Sequence, residues 1–291
     1  MVTIPVPAAP DLIRSSDLMR DYGVAVSELR PHPGGFESDC WVADEVWFVK
    51  VWRRREPPTG LSLLRDLSAA GLPVPAPIPT VAGELYATLH GRPYAVFPYV
   101  RGRTASRADW RQTAQALKRV HALKHVELPP STMDEPAIWQ LRERLDHPWI
   151  ENRREEVAES IVRLEQAIER AKPKAVRHVV CHLDFGGFNL ILDDDEVAAI
   201  VDWEQAVLGP REHDVWIAAE GDHCALFLAE YGARDLDIDH IEYALLARAL
   251  GDMAARVLRE VDRPGVDTWG FRRIAKLDRD LARFRPFCAQ P

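Results

Sequence analysis

The residues His178-Val-Val-Cys-His-Leu-Asp-Phe-Gly-Gly-Phe-Asn-Leu-Ile-Leu-Asp-Asp-Asp-Glu-Val-Ala-Ala-Ile-Val-Asp-Trp-Glu204 set the architecture of the whole chain. Leu190 to Leu192 and Val197 to Val201 are short apolar runs separated by the polar turn Asp193 to Glu196, which reads as a hairpin. Folded about that turn, residues whose numbers sum to about 390 face one another on strands about 4.8 Å apart. Asn189 and Asp202 therefore meet at the open end. An amide oxygen and a carboxylate at that separation suit an octahedral, oxygen-loving cation such as Mg²⁺. Asp184 lies just before them in a loop loosened by Gly186 and Gly187, so its carboxylate reaches the same space. Phosphoryl transfer requires such a set: one carboxylate to orient a hydroxyl and take its proton, and a carboxylate with an amide to hold the metal that neutralises phosphates.

Outward from this stretch, the N-terminal third reads as strands. Trp41 to Ala43 and Val46 to Val49 flank Asp44-Glu45, a second hairpin-like pattern that ends at Lys50. Pro33-Gly34-Gly35-Phe36 is a turn with backbone freedom. Leu61, Leu64 and Leu67 recur at helical spacing up to Gly71. Pro73 to Pro79, with proline at alternate positions, is extended and lies at an edge or in a connection. Leu85 to Leu89 and Tyr94 to Val100 read as two more strands. Beyond about residue 104 the pattern becomes helical: a capping-box-like start at Ser106 to Asp109, then stripes at Trp110–His121, Val157–Ile168 and Leu246–Val257. The fold class is α+β and bilobal, with a small β-rich lobe over residues 1–99 and a larger, mostly helical lobe over 100–291.

Composition bounds the function. With 291 residues, 47% apolar and 28% charged, the chain is ordinary globular material. A net charge of −8 argues against a general nucleic-acid binder. The longest uncharged stretch, Leu67 to Gly83, carries four prolines and makes no membrane helix. No basic leader is visible, and four scattered cysteines without a CxxC point to a reducing, cytoplasmic setting without structural zinc. Residues 178–242 hold sixteen Asp and Glu against only Arg211 and Arg234. Such a concentration favours a divalent metal and a cationic ligand.

In detail, the "HLDFGGFN…IVDWE" run resembles the aminoglycoside phosphotransferase and choline kinase family, small-molecule kinases of protein-kinase-like fold. The resemblance implies Asp184 as the catalytic carboxylate, and Asn189 and Asp202 as metal ligands. It implies Lys50 on the nucleotide phosphates, Gly34 and Gly35 in the loop above them, and the backbone of Pro98, Tyr99 and Val100 as the edge for the base. ATP or GTP with Mg²⁺ is then the cofactor set. Leu117 to Leu123 resembles the family's helix behind the catalytic loop, with His121 as scaffold, and Asp214 matches the aspartate that anchors this loop. Two positions depart from the pattern. Leu183 stands where the family has glycine. The glutamate expected to pair with the lysine falls near Ser62, where no acid stands, and Glu56 in a loop is the nearest.

The leading expectation is an O-phosphotransferase acting on a hydroxyl of a small, cationic molecule. An aminoglycoside-like antibiotic is favoured, held by Glu204, Glu220 and Asp222. Alternatives are a kinase of a metabolic amino alcohol, amino acid or sugar, and a nucleotide-binding pseudokinase, which the empty position near Ser62 favours. A metal-dependent hydrolase leaves Lys50 unexplained, and a protein kinase lacks its Ala-Pro-Glu segment after Asp202.

Overall fold

The computed structural model describes residues 12–33, 38–56, 60–124, 126–259 and 268–288. The first lobe comprises α1 (Ser15–Tyr22), β1 (Leu29–His32), β2 (Ser38–Ala43), β3 (Trp47–Trp52), α2 (Leu61–Ala69), β4 (Ala87–Leu89) and β5 (Arg92–Pro98). Its strands form one antiparallel sheet in the order β1-β2-β3-β5-β4. The β2–β3 connection has three residues, Asp44 to Val46, between the paired Ala43 and Trp47; Asp44 and Glu45 take the left-handed region at φ 51° and 54°, and the Val46 N–H donates to the Ala43 carbonyl at 3.0 Å. The Asp44 carboxylate accepts the Ser27 and Glu28 N–H groups at 2.9 and 2.7 Å, fastening the turn.

β3 runs three residues past Val49, so Lys50 sits inside the strand and not at its end. Alternation then sorts the side chains. Trp47, Val49 and Val51 join Tyr94, Val96, Leu18 and Tyr22 in a core beneath α1. Phe48 and Trp52 face the other way, with Ala95, Phe97 and Leu61. Lys50 belongs to this second face, which is turned toward the cleft. α1 and β1 were not legible in the sequence. β1 is an edge strand of four residues, where Pro31 is tolerated because no neighbour needs its missing donor.

The second lobe comprises β6 (Arg103–Thr104), α3 (Trp110–Val120), α4 (Pro136–Arg142), α5 (Arg154–Ala171), β7 (His178–Cys181), β8 (Leu190–Asp193), β9 (Glu196–Ile200), β10 (Val207–Pro210), α6 (Glu212–Ala218), α7 (Cys224–Tyr231), α8 (Ile238–Arg259), α9 (Trp269–Ile274) and α10 (Leu277–Phe284). β8 and β9 form the expected hairpin, pairing Leu190 with Ile200 and Ile191 with Ala199 before a bulge. β6 adds a third strand on β8. At Gly102, φ is 146° and an added Cβ would lie 2.3 Å from the Leu192 carbonyl oxygen, so only glycine allows this approach. β7 pairs with β10. The stripes Val157, Ile161, Leu164 and Ile168 of α5 and Leu246, Leu250, Met253 and Val257 of α8 meet in one buried core. The proline-rich segment is extended, as expected, and its Pro73 carbonyl accepts the Ile200 N–H at 2.8 Å, linking it to the hairpin. No described helix is long and apolar enough to cross a membrane.

Candidate active site

The loop 182–189 leaves β7 under tight control. The His182 and Leu183 N–H groups donate to the two oxygens of Asp214, at 2.8 and 2.6 Å. Asp214 is fully buried in the first turn of α6 and also receives His121 Nε2 at 3.1 Å. Burial opposes its charge, yet the His121 bond and the loop donors outweigh burial and hold the carboxyl below its usual range. Leu183 has φ 66°, the left-handed region, which gives the glycine usual at this position a physical reason. For a leucine that conformation costs roughly 1–2 kcal/mol, and the paired bonds to Asp214 hold it there. His182 is fully buried, its Nε2 2.8 Å from the Val201 carbonyl and its ring between Phe185 and Trp203. It thus ties the loop to the hairpin.

At the hairpin's open end the Val201 N–H donates to the Asn189 carbonyl at 3.0 Å, which sets Asp202 beside Asn189 in the chain's path. Asn189 Nδ2 donates to the Asp184 carbonyl and to Asp184 Oδ2, at 2.9 and 3.2 Å. The amide is thereby oriented, and its Oδ1 accepts from no described residue. Asp202, at φ 71°, keeps 52% of its side chain exposed, with Oδ1 3.8 Å from Lys50 Nζ. A neutral amide oxygen and an open carboxylate are a hard-oxygen donor set that fits Mg²⁺.

Lys50 is held from the far side of the cleft. Glu204 Oε1 accepts Lys50 Nζ at 2.7 Å and Trp52 Nε1 at 3.0 Å. Burial favours the neutral lysine, but Asp202 and Glu204 reverse that and raise its pKa. Burial likewise pushes Glu204 up, and Lys50 with Trp52 brings it down below the usual carboxylate value. The residue expected near Ser62 is thus supplied from beyond β9, while Glu56 is exposed. Glu204, expected among the acceptor's carboxylates, is engaged with the lysine instead. Its place two residues after Asp202 was the available signal.

Other expected positions differ in what they offer. Tyr99 donates its N–H to the Val46 carbonyl at 2.7 Å and Pro98 has none, so among the three hinge residues only the Val100 N–H could meet a base. Gly34 and Gly35 lie outside the described residues. Glu220 is 3.7 Å from Arg273, and Asp222 is exposed. Three carboxylates at the end of the acidic stretch are paired with cations from outside it. Asp237 and Asp239 take Lys174, Asp239 and Glu242 take Arg170, and Glu242 also takes Arg163.

Sequence reasoning missed Arg248. From α8 its Nη1 donates to Asp184 Oδ1 at 2.6 Å, and its Nε lies 3.2 Å from Asp252 Oδ1. Burial disfavours the charge, but Asp252 and Asp184 raise the guanidinium pKa regardless.

A family model described as the phosphotransferase enzyme family matches residues 28–248. The chain is 26% identical over 171 residues to a homoserine kinase of Methylobacillus glycogenes, covering 56% of this chain and 52% of that protein. It is 24% identical over 246 residues to a homoserine kinase of Zymomonas mobilis subsp. mobilis, covering 79% and 76%. The chain thus spans about half the length of the first relative and about three quarters of the second. Among solved structures it resembles a spectinomycin phosphotransferase in complex with ADP and spectinomycin, with a TM-score of 0.72 at 17% identity over 90% of this chain and 92% of that one. At that identity the likeness speaks for the fold.

Proposed function

We propose that this chain, which belongs to the phosphotransferase enzyme family, transfers the γ-phosphate of ATP or GTP to a hydroxyl of a small molecule. The observation that carries this reading is two side-chain contacts joined through the hairpin end: Asn189 Nδ2 on Asp184 and Lys50 Nζ near Asp202, with the Val201 N–H on the Asn189 carbonyl between them. In the reaction the acceptor oxygen forms a bond to the γ-phosphorus, the bond to the β,γ-bridging oxygen breaks, and the nucleoside diphosphate leaves. Asp184 takes the hydroxyl proton and orients the oxygen for attack. Lys50 holds phosphate oxygens, the Val100 N–H meets the base, and Asn189 with Asp202 would hold Mg²⁺. Bound there, Mg²⁺ supplies neutralisation of the charge on the phosphates.

Glu204 removes the ground for a pseudokinase, because Lys50 does have a carboxylate partner. For the acceptor we favour a small hydroxylated amino acid or amino alcohol. The support is the pair of homoserine kinase relatives, together with the engagement of Glu204 by Lys50 and the nearness of Glu220 to Arg273, two of the carboxylates on which an amino-sugar acceptor rested. The test is turnover of Mg·ATP and Mg·GTP by the purified protein with a panel of amino acids, amino alcohols, sugars and aminoglycosides. Acceptor-dependent release of the nucleoside diphosphate, with phosphate on a hydroxyl, supports the reading. Nucleotide binding without transfer to any of them sinks it.

A further inference from the structure

Arg248 is oddly placed for a residue of structural use alone. It reaches from the middle of α8 to the carboxylate proposed as base, 64 residues earlier in the chain. Both oxygens of that carboxylate are engaged, Oδ1 by Arg248 and Oδ2 by Asn189. Of the two donors only Arg248 carries a charge, and a charge-assisted bond at 2.6 Å is the stronger kind. The contact therefore describes a resting arrangement, in which the base is occupied by a cation that a hydroxyl must compete with.

The guanidinium has capacity for more. Its Nε is anchored on Asp252, one turn along the same helix. Its Nη1 is on Asp184, and Nη2 donates to no described residue. A quarter of the Arg248 side chain is exposed, so a ligand in the cleft can reach it. With Nε fixed, Nη1 and Nη2 form a parallel pair of donors, the geometry that binds a carboxylate through two bonds. An ammonium brought to the same point would meet a like charge beside Asp184, which works against a polycation.

We infer that Arg248 receives the carboxylate of the acceptor, and that the acceptor is a small hydroxy acid of the amino-acid class. The substrate's carboxylate takes Nη1 and Nη2, Asp184 gives up its ion pair, and its freed Oδ1 turns to the substrate's hydroxyl. Acceptor selection and release of the base become one event. The inference rests on the phosphotransfer reading above and narrows its substrate class.

The test uses the full chain with Mg·ATP and two matched acceptors, homoserine and 3-aminopropan-1-ol, which is homoserine without its carboxylate. The wild type should prefer homoserine in kcat/KM by about a hundredfold or more, since a site built to bond a polar group discriminates strongly against an analogue lacking it. Arg248→Ala should reduce that preference to within about tenfold, mainly by raising the KM for homoserine. Arg248→Lys should fall between, because it keeps the charge and loses the fork. A wild type that phosphorylates both acceptors equally, or amino sugars in preference to either, overturns the inference and leaves the kinase reading standing. Equal losses on both acceptors in Arg248→Ala and Arg248→Lys also overturn it, reducing Arg248 to a support for Asp184. If the wild type binds Mg·ATP and phosphorylates no hydroxyl compound at all, the underlying reading fails and the inference with it. If Arg248→Ala does not fold, Arg248→Lys carries the test of the residue, and a wild type indifferent to the carboxylate still overturns the inference.

Discussion

Lys50 Nζ lies 2.7 Å from Glu204 Oε1, across 154 residues of chain. The contact joins the central strand of the first lobe to the segment that follows Asp202 in the second. One carboxylate therefore sets the lysine and, through Trp52 at 3.0 Å, the neighbouring face of β3. α2, which carries no acid in its first turn, has no part in this pairing. Placement of the lysine is thus set by a residue just past the hairpin end.

Glu204→Gln should lower kcat/KM for nucleotide by roughly 10–100-fold, the worth of a partly buried hydrogen bond to a charged group. The fall should appear mainly in the KM for nucleotide. Glu56→Ala, which alters an exposed loop residue, should stay within about twofold of wild type in the same assay. Unchanged steady-state kinetics in Glu204→Gln would show that the pair is a resting contact without influence on phosphate binding.

Asp184→Asn should bind Mg·nucleotide as the wild type does while turnover drops about 10²–10⁴-fold, the usual worth of a positioned general base. The amide preserves shape and accepts no proton. Binding calorimetry and turnover measured on one preparation separate the two effects, and near wild-type turnover would remove Asp184 from the chemistry.

Asp202→Asn is the better probe of the metal position than alanine, because φ is 71° there and asparagine tolerates that region more readily. The variant should fold normally and lose the Mg²⁺ dependence of nucleotide binding, since the one charged oxygen donor is gone. Unaltered Mg·ATP affinity by calorimetry would contradict the assignment.

The β8–β9 hairpin was legible because its two signals are local, a polar turn and short apolar runs. The register then followed, and it sets Asn189 opposite Val201, the residue before Asp202. Lys50 was visible as a lysine beside strand formers, although β3 continues to Trp52. Leu183 showed as a departure whose meaning is conformational, a φ of 66°. Arg248 was hidden for a different reason. With Asp252 at i+4 it reads as an ordinary solvated helix pair, and nothing local says that α8 packs beneath the loop of Asp184. Counting charge over residues 178–242 left out the cations that pair with Asp237, Asp239 and Glu242, because Arg163, Arg170 and Lys174 come from outside that window.

Asp214→Asn should destabilise the fold by about 3 kcal/mol or more, because an amide cannot serve three donors without facing one with its own N–H. For a chain of this size that is a fall in Tm of roughly 6–12 °C. Burial works against the charge but the His121 and loop bonds prevail, so the folded-state pKa lies below the ordinary 3.8. Its contribution is complete above that pH and is lost as pH falls toward the folded value. Wild-type Tm should therefore decline on acidification below about pH 4 more steeply than that of Asp214→Asn. Parallel declines in a thermal-melt series would mean that Asp214 is not the group that titrates.

Salt separates the two acceptor classes. If the acidic stretch recruits a polycation, acceptor KM should climb several-fold between roughly 0.05 and 0.5 M salt, where screening shortens from well above to well below about 8 Å. Glu220→Gln and Asp222→Asn should then each add a few-fold, as exposed pairs are worth about 0.2–1 kcal/mol. The pairing of Glu220 with Arg273 at 3.7 Å, and of the 237–242 carboxylates with α5 and Lys174, leads to a different expectation. A zwitterionic acceptor carries no net charge, so its KM should change by less than about twofold across that salt range and in either variant. An aminoglycoside whose KM responds to both salt and substitution, with a kcat/KM above that of any amino acid, would return the acidic face to the acceptor site and displace the hydroxy amino acid from it.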